Sequence, residues 1–216
     1  MTHARWAPAS GIAAVLLFAT AAGLGISDYP HGSDREIVSW WNDGGNRARV
    51  WIGAALLALA VVAFVWYASA LRETLRQAAG ESTAALAYGP ALVFAALALV
   101  SDAVQLSVAA AIDFGSRFTL DADTARLLDP LAYLPLFGGA MVLSLTVGAT
   151  AAAARRTGIL PRWLVRAGYV LSPALLLSVV LWGIPLALFG LWVVATSVAM
   201  LRRAEPAAGT RPALAS

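Results

Sequence analysis

The chain contains no cysteine and no lysine, and its 216 residues include only two histidines. The lack of cysteine excludes a disulfide framework, thiol redox catalysis and Cys-ligated metal clusters. The lack of lysine excludes Schiff-base chemistry, including a retinal-type chromophore linkage. His3 and His31 both lie outside the long apolar segments, which argues against Ser–His proteolysis or histidine-ligated metals inside a membrane. No cofactor is therefore predicted.

Charge is also scarce. Only 12% of the residues are charged, 60% are hydrophobic, and the mean hydropathy is +0.75. Ordinary globular domains carry about a quarter charged residues. A soluble fold could not hide so much apolar surface from water, so lipid must be the solvent. The composition therefore predicts an all-α, polytopic membrane protein, and the lipid bilayer is its first predicted partner.

Six apolar segments are predicted to cross the bilayer as helices. They cover residues 9–26, 50–71, 84–112, 131–154, 163–182 and 185–201. The last two form one apolar run of about 55 Å as a single helix, too long for one crossing, and Gly183-Ile184-Pro185 is predicted to divide it as a hairpin. Residues 1–201 thus form a single transmembrane domain, and residues 202–216 a disordered cytoplasmic tail. A cleaved signal peptide is the alternative for residues 9–26, but the length of the apolar run favours a retained span.

The two longer polar loops are each predicted to carry a short surface helix. In the first, Ser33 and Glu36 have the spacing of a capping box, and the helix should run to about Trp41. In the second, Asp121 or Thr119 is predicted to cap one or two turns that end near Leu128.

Arginine placement predicts the orientation of the chain in the membrane. With both termini cytoplasmic, ten of the fifteen arginines lie on the inner side and five in the two outer loops, as the positive-inside rule expects. Eight of the twelve acids lie on the outer side.

The six-span layout, residues 30–38 (PHGSDREIV) and residues 156–163 (RTGILPRW) resemble a family of bacterial integral membrane proteins. That family is catalogued only as a domain of unknown function. The resemblance implies the fold and membrane residence, and it brings no activity, cofactor or catalytic residue.

Asp102 is the one acid placed inside a predicted span. At helical spacing, small or polar residues share its face, while Leu92, Leu99 and Leu106 form a bulky neighbouring face; the shared face holds Ala91, Ala95, Ala98, Gln105, Ala109 and Asp113. The face should point into the bundle.

Two interpretations of Asp102 and Gln105 stay open. Asp102 is either a protonated residue that hydrogen-bonds Gln105 or a neighbouring helix, or a site for a proton or ligand. No arginine lies in the middle of a span to pair with it, and Arg47 and Arg49 are the nearest bases by depth.

Acids of the outer loops form a second candidate site, a patch of Asp28, His31, Asp34, Glu36, Asp113 and Asp121. Their spacing matches no calcium loop, and topology alone accounts for acids outside, so no metal is predicted. A hydrolase arrangement of Ser33, His31 and Asp28 has less support, because catalytic triads usually draw on distant segments.

Four inner arginines, Arg155, Arg156, Arg162 and Arg166, are candidate contacts for anionic lipid headgroups. Plain topogenic charge is the alternative, and it also accounts for the pI of 9.8 without a nucleic-acid partner. A homo-oligomer or a membrane partner protein stays open.

Three classes of function remain. The first, which the lack of a catalytic constellation favours, is a non-enzymatic membrane component such as a scaffold, sensor or accessory subunit. The second is a small transporter or permease that uses Asp102, with helices broken at Pro135 and Pro173. The third is a membrane enzyme acting at the outer face, which requires the outer acids to converge.

Overall fold

The computed structural model describes residues 7–26, 32–115 and 118–204. Over these residues the chain is all-α and contains seven helices and no strand. They are α1 (Ala9–Ile26), α2 (Asp34–Asn42), α3 (Gly44–Ala79), α4 (Glu81–Phe114), α5 (Ala122–Thr157), α6 (Arg162–Leu176) and α7 (Ile184–Ala204). The all-α prediction is confirmed for the described part of the chain.

Four of these helices, α3, α4, α5 and α7, are long and apolar enough to cross a membrane, and α1 is apolar but shorter. Large apolar side chains stand exposed along them, such as Leu59, Leu145 and Leu191. Exposed side chains of this kind suit contact with lipid tails rather than with water.

Short-range signals place most helix ends. The backbone N–H of Ser33 donates to the Glu36 carboxylate at 2.8 Å, as the capping pattern predicts for α2. The Asp43 carboxylate accepts from the N–H groups of Gly45 (2.7 Å) and Asn46 (3.1 Å), so α3 begins directly after α2. At the end of α5, Gly158 adopts a φ of +69°, a left-handed conformation that favours glycine.

The prediction of a separate surface helix in the second loop is wrong. Asp121 caps a helix as expected, but that helix is α5, which continues through Pro130 and Pro135 to Thr157. A proline removes one helical hydrogen bond, and it kinks a helix without having to end it when neighbouring elements hold both sides. Here α4 packs along α5, and Asp34 of α2 pairs with Arg126 in its first turns.

The fifth predicted span ends earlier than expected. α6 stops at Leu176, and residues 177–183 form consecutive turns before α7. Pro173 lacks an N–H in the last turn of α6, and the Ser178 hydroxyl donates to the Leu175 carbonyl at 2.6 Å, which offers that carbonyl an alternative to helical bonding. The hairpin itself is present, with φ values of +44° at Trp182 and +73° at Gly183.

Successive long helices run antiparallel, so the bundle has two chemically distinct ends. At one end, Arg72, about two turns before the end of α3, pairs with Glu81 at the start of α4, and Arg203 of α7 donates to the carbonyl of Gly158 at the end of α5. At the other end lie α2 and the loop between α4 and α5. We refer to the two as the arginine end and the loop end.

Small residues and interhelical hydrogen bonds allow close packing. A Cβ added to Gly139 of α5 would lie 3.0 Å from the Phe94 ring and 3.3 Å from its Cα in α4. The Thr146 hydroxyl donates to the Ala87 carbonyl at 2.8 Å, which also joins α5 to α4. The Tyr67 hydroxyl lies 2.5 Å from that of Thr196, which joins α3 to α7 inside the bundle. Such contacts are the usual basis of helix association in lipid, where hydrophobic burial contributes little.

Candidate functional site

A cavity of about 770 Å³ lies inside the bundle, toward the loop end. Its walls come from α1, α3, α4, α5 and α7, and Trp40 and Trp41 of α2 also face it. Most of the lining side chains are apolar, and the polar ones gather on α4 and α5: Ser101, Asp102, Gln105, Asp129 and Tyr133. A cavity of this size and composition is typical of sites that bind a small molecule.

The face of α4 that carries Asp102 points into the bundle, as its spacing predicts. Ala98, one turn before Asp102, is 1% exposed, whereas the adjoining Leu99 is 43% exposed. Asp102 and Gln105 are both half-buried and line the cavity. Asp102 lies eleven residues before Asp113, which is about 16 Å of helix inside the loop end.

No group in residues 7–26, 32–115 or 118–204 hydrogen-bonds or ion-pairs with the Asp102 carboxylate. The interpretation of Asp102 as a protonated, hydrogen-bonding residue offered Gln105 as a partner, and that hydrogen bond is not formed. Asp102 thus presents its carboxylate to the cavity without a partner from the described part of the chain. Loss of hydration at a half-buried acid without a partner is costly unless protonation or a bound group offsets it.

Ser101, the residue before Asp102, fixes the position of this part of α4. Its hydroxyl is buried and donates to the Ala132 carbonyl of α5 at 2.6 Å. Because Ser101 and Asp102 are neighbours, this bond sets the distance between the Asp102 side chain and the α5 wall of the cavity.

Arg47, one of the two bases expected nearest to Asp102, is engaged elsewhere. The Arg47 guanidinium donates to the Asp113 carboxylate at 2.6 Å and to the Trp41 carbonyl at 2.8 Å. The Trp51 indole N–H donates to the other oxygen of Asp113 at 2.9 Å. These bonds join α3 to the end of α4 beside the cavity, so Arg47 does not neutralise Asp102.

Aromatic rings form two groups around the cavity. Phe64, Phe94 and Phe189 meet edge to face, with ring centroids 5.5 to 6.2 Å apart, and form what we term the aromatic floor. Tyr133, Phe137 and Trp182 pack against one another with centroids 6.0 to 6.2 Å apart and form the aromatic wall. All six rings line the cavity.

The outer acidic patch does not converge on one point. Asp34 pairs with Arg126 at 2.6 Å, Glu36 caps α2, and Asp113 binds Arg47 and Trp51. Within the described part of the chain, no three acid or histidine side chains are close enough to hold a metal ion. Asp28 and His31, the other members of the patch, lie outside the described residues.

Asp121, the last acid of that patch, has a capping role. It accepts hydrogen bonds from the hydroxyl of Thr124 at 2.6 Å and from its backbone N–H at 2.8 Å. The hydroxyl bond, followed by the backbone bond, lowers the pKa of Asp121 below its ordinary value. The charge of Asp121 therefore stabilises the first turn of α5.

The inner arginines do share one region, the arginine end. Arg155 and Arg156 close α5, and Arg162 and Arg166 occupy the first two turns of α6. All four side chains are exposed, and no described carboxylate pairs with them.

Several cavity residues were not predicted from the sequence. The aromatic floor is spread over α3, α4 and α7, and Asp129 and Tyr133 belong to α5. Phe94 lies two turns before Asp102 on the same helix, which was an available signal. The other rings are distant in sequence, and only helix packing brings them together.

Comparison of the chain with protein-family models, with curated proteins and with solved structures gave no match.

Proposed function

We propose that the chain is a six-span protein of the bacterial cytoplasmic membrane, in which α1 and the α6 segment cross together with the four longer helices. Close packing of α1 supports this assignment. A Cβ added to Gly11 would lie 2.3 Å from the Ser197 hydroxyl oxygen and 2.6 Å from the Tyr67 ring. Near the other end of α1, a Cβ added to Gly53 would lie 3.6 Å from the Ala21 carbonyl. α1 therefore contacts α3 along its length, as a retained span does.

In this layout the α6 segment crosses the bilayer together with the turns that follow it. α6 has 15 residues, about 22 Å of helix, which is less than the roughly 30 Å hydrocarbon core of a bilayer. The seven residues 177–183 that follow are mostly apolar and extend the segment toward the loop end. A six-span layout is also what the resemblance to the family of unknown function implies.

The charges of the two ends support an orientation with the arginine end in the cytoplasm. Reporter fusions after Arg76, Arg126, Arg156 and Arg203 should then read inside, outside, inside and inside. An outside signal after Arg156 would refute the six-span layout.

We further propose that the protein is a non-enzymatic membrane component that binds a small, largely apolar molecule in its cavity. The observation that carries this proposal is the 770 Å³ cavity, with the Asp102 carboxylate facing it. The described acids outside the cavity already form ion pairs or cap helices, or they lie far from one another. This arrangement favours binding in the cavity over catalysis at the outer face. A sensor or accessory subunit that responds to a membrane-soluble ligand fits this arrangement.

A neutral, environment-sensitive dye such as Nile red tests the binding proposal on the purified protein in detergent. Its fluorescence should rise on binding, and Gln105→Trp, which places an indole in the cavity, should weaken binding at least about tenfold. Val100→Trp is the matched control, because Val100 lies on the same helix and is 48% exposed on the lipid side. Equal dye binding by the two variants would refute the proposal.

Transport is the second candidate, and the same cavity favours it, since an acid inside the membrane often marks a substrate or proton path. The broken helices expected to support transport are not observed at Pro135, where α5 is continuous. Vesicles that contain the protein should accumulate a bound ligand only if transport occurs, whereas a sensor should bind it without uptake.

We also propose that the arginine end contacts anionic lipid headgroups. The four exposed arginines provide the charge, and guanidinium groups bind phosphate with two parallel hydrogen bonds. Phosphatidylglycerol should raise the melting temperature of the protein, and the double change Arg155→Gln with Arg156→Gln should reduce that rise. Arg35→Gln, which removes an exposed arginine at the loop end, should leave it unchanged.

A further inference from the structure

The charged side chains that line the cavity, among the residues that the structure describes, have one sign. They are the carboxylates of Asp102 and Asp129, and no described arginine lies in the lining. The chain has no lysine anywhere, and both histidines lie outside the described residues. An anionic ligand would therefore meet like charge in a low-dielectric site, whereas a cationic ligand would meet opposite charge.

Asp102 supplies the anchor for such a ligand. Its carboxylate faces the cavity without a partner from the described residues, and Arg47 is held by Asp113 and Trp41. Ser101 holds the same turn of α4 against α5, so the carboxylate is positioned before any ligand arrives. A neutral apolar ligand would leave this carboxylate without an interaction, which is costly for a half-buried acid.

The aromatic rings suit the rest of a cationic molecule. The aromatic floor and the aromatic wall offer apolar surface to a carbon skeleton, and the faces of their rings attract a cation. A bare metal ion would not use this surface. It would also require several oxygen ligands, and no such group exists among the described side chains.

We propose that the cavity binds an amphiphilic organic cation, a quaternary or protonated amine on an apolar body, with Asp102 as its counter-ion. The volume of about 770 Å³ falls in the range of sites for small organic molecules, roughly 300 to 1,000 Å³. This inference rests on the proposed binding function and names the class of ligand for the same cavity.

Two probes of the same shape and opposite charge test the inference: tetraphenylphosphonium and tetraphenylborate. Each is titrated against Nile red bound to the wild-type protein in a neutral detergent. Tetraphenylphosphonium should displace the dye at a concentration at least about tenfold lower than tetraphenylborate does. Equal potency of the two ions would overturn the inference and leave the binding function standing.

Substitutions at Asp102 locate the charge that discriminates between the probes. Asp102→Asn should weaken tetraphenylphosphonium binding at least about tenfold relative to tetraphenylborate, because the side chain can no longer be charged. Asp123→Asn is the matched control, since that side chain is 94% exposed and lies outside the cavity lining. It should leave both affinities unchanged.

Two further measurements keep the outcomes separate. Asp102→Glu keeps the acid and should keep the preference for tetraphenylphosphonium, which covers the case in which the Asn variant does not fold. A melting curve of each variant shows whether it is folded. If the Asn variant folds and binds tetraphenylphosphonium as tightly as wild type does, the inference is wrong. If the Asn variant does not fold, the inference is wrong when the folded Glu variant loses the preference for tetraphenylphosphonium. Failure of wild-type protein to bind Nile red would instead refute the proposed function.

Discussion

Gly138 and Gly139 provide a direct test of how closely α4 and α5 pack, because two adjoining glycines meet different surroundings. A Cβ at Gly139 would lie 3.0 Å from Phe94 Cδ2, 3.3 Å from Phe94 Cα and 3.3 Å from Leu97 Cβ. A Cβ at Gly138 meets nothing within 4 Å. The contact with Phe94 Cα involves backbone, so a larger residue at position 139 must push the two helices apart.

The magnitude follows from two opposing effects. Replacing a helical glycine by leucine gains roughly 0.5–1 kcal/mol, because glycine loses more backbone entropy on folding. This gain is common to both positions. Overpacking at position 139 costs about 1–3 kcal/mol, and position 138 has no such cost. Gly138→Leu should therefore be neutral or stabilising, and Gly139→Leu should be less stable than it by about 1–3 kcal/mol.

Thermal unfolding in detergent, followed by the loss of helical circular dichroism, measures the difference between the two variants. For a chain of this length, 1 kcal/mol corresponds to about 2–4 °C in melting temperature, so the variants should differ by roughly 2–12 °C. Gly139→Ala should fall between wild type and Gly139→Leu. Equal melting temperatures for the two leucine variants would show that α4 and α5 do not meet at Gly139.

Two further predictions concern hydrogen bonds. Ser101→Ala removes the hydrogen bond from α4 to α5 and should lower the free energy of unfolding by about 0.6–1.7 kcal/mol. The Ser107 hydroxyl bonds only within α4, so Ser107→Ala should lower it by less than about 0.5 kcal/mol in the same assay. Similar losses in the two variants would contradict the interhelical role of Ser101. Because bonds from Thr124 lower the pKa of Asp121, its capping contribution is fully present above the ordinary pKa of 3.8 and is lost as the pH falls through the lowered value. Asp121→Asn keeps a cap that does not titrate, so its melting temperature should fall less between about pH 4 and pH 2 than that of wild type, and parallel curves would refute the assignment.

Local sequence determined the helical class and most helix ends. The composition predicted helices apolar enough to cross a membrane, and the helix ends depend on residues within one or two turns of each other. Ser33 and Glu36 start α2 and Asp121 starts α5, both at predicted positions, and Gly158 ends α5 in a conformation that favours glycine. The inward face of α4 was also predictable, since Ala98 and Leu99 differ in size and helical geometry sends them to different sides.

The end of α6 and the continuity of α5 were decided by competition between local and tertiary effects. Pro130 weakens a helix whether or not neighbouring elements support it. The sequence does not reveal that Asp34 and α4 hold α5 on both sides of this proline. The outer acids show the same limit. Their types were evident from the sequence, but the pairing of Asp113 with Arg47, 66 residues away, depends on how α3 and α4 align.

Asp102 shows which features the sequence determines and which depend on the tertiary structure. The sequence alone determined that an acid sits inside a helix of membrane length, on a face of small residues. Only the tertiary structure decided that this face borders a cavity, that Arg47 is engaged elsewhere, and that aromatic rings from three other helices surround the same space. The physical reason is that helical periodicity is a property of neighbouring residues, whereas a cavity is the space left between helices whose packing depends on all of them.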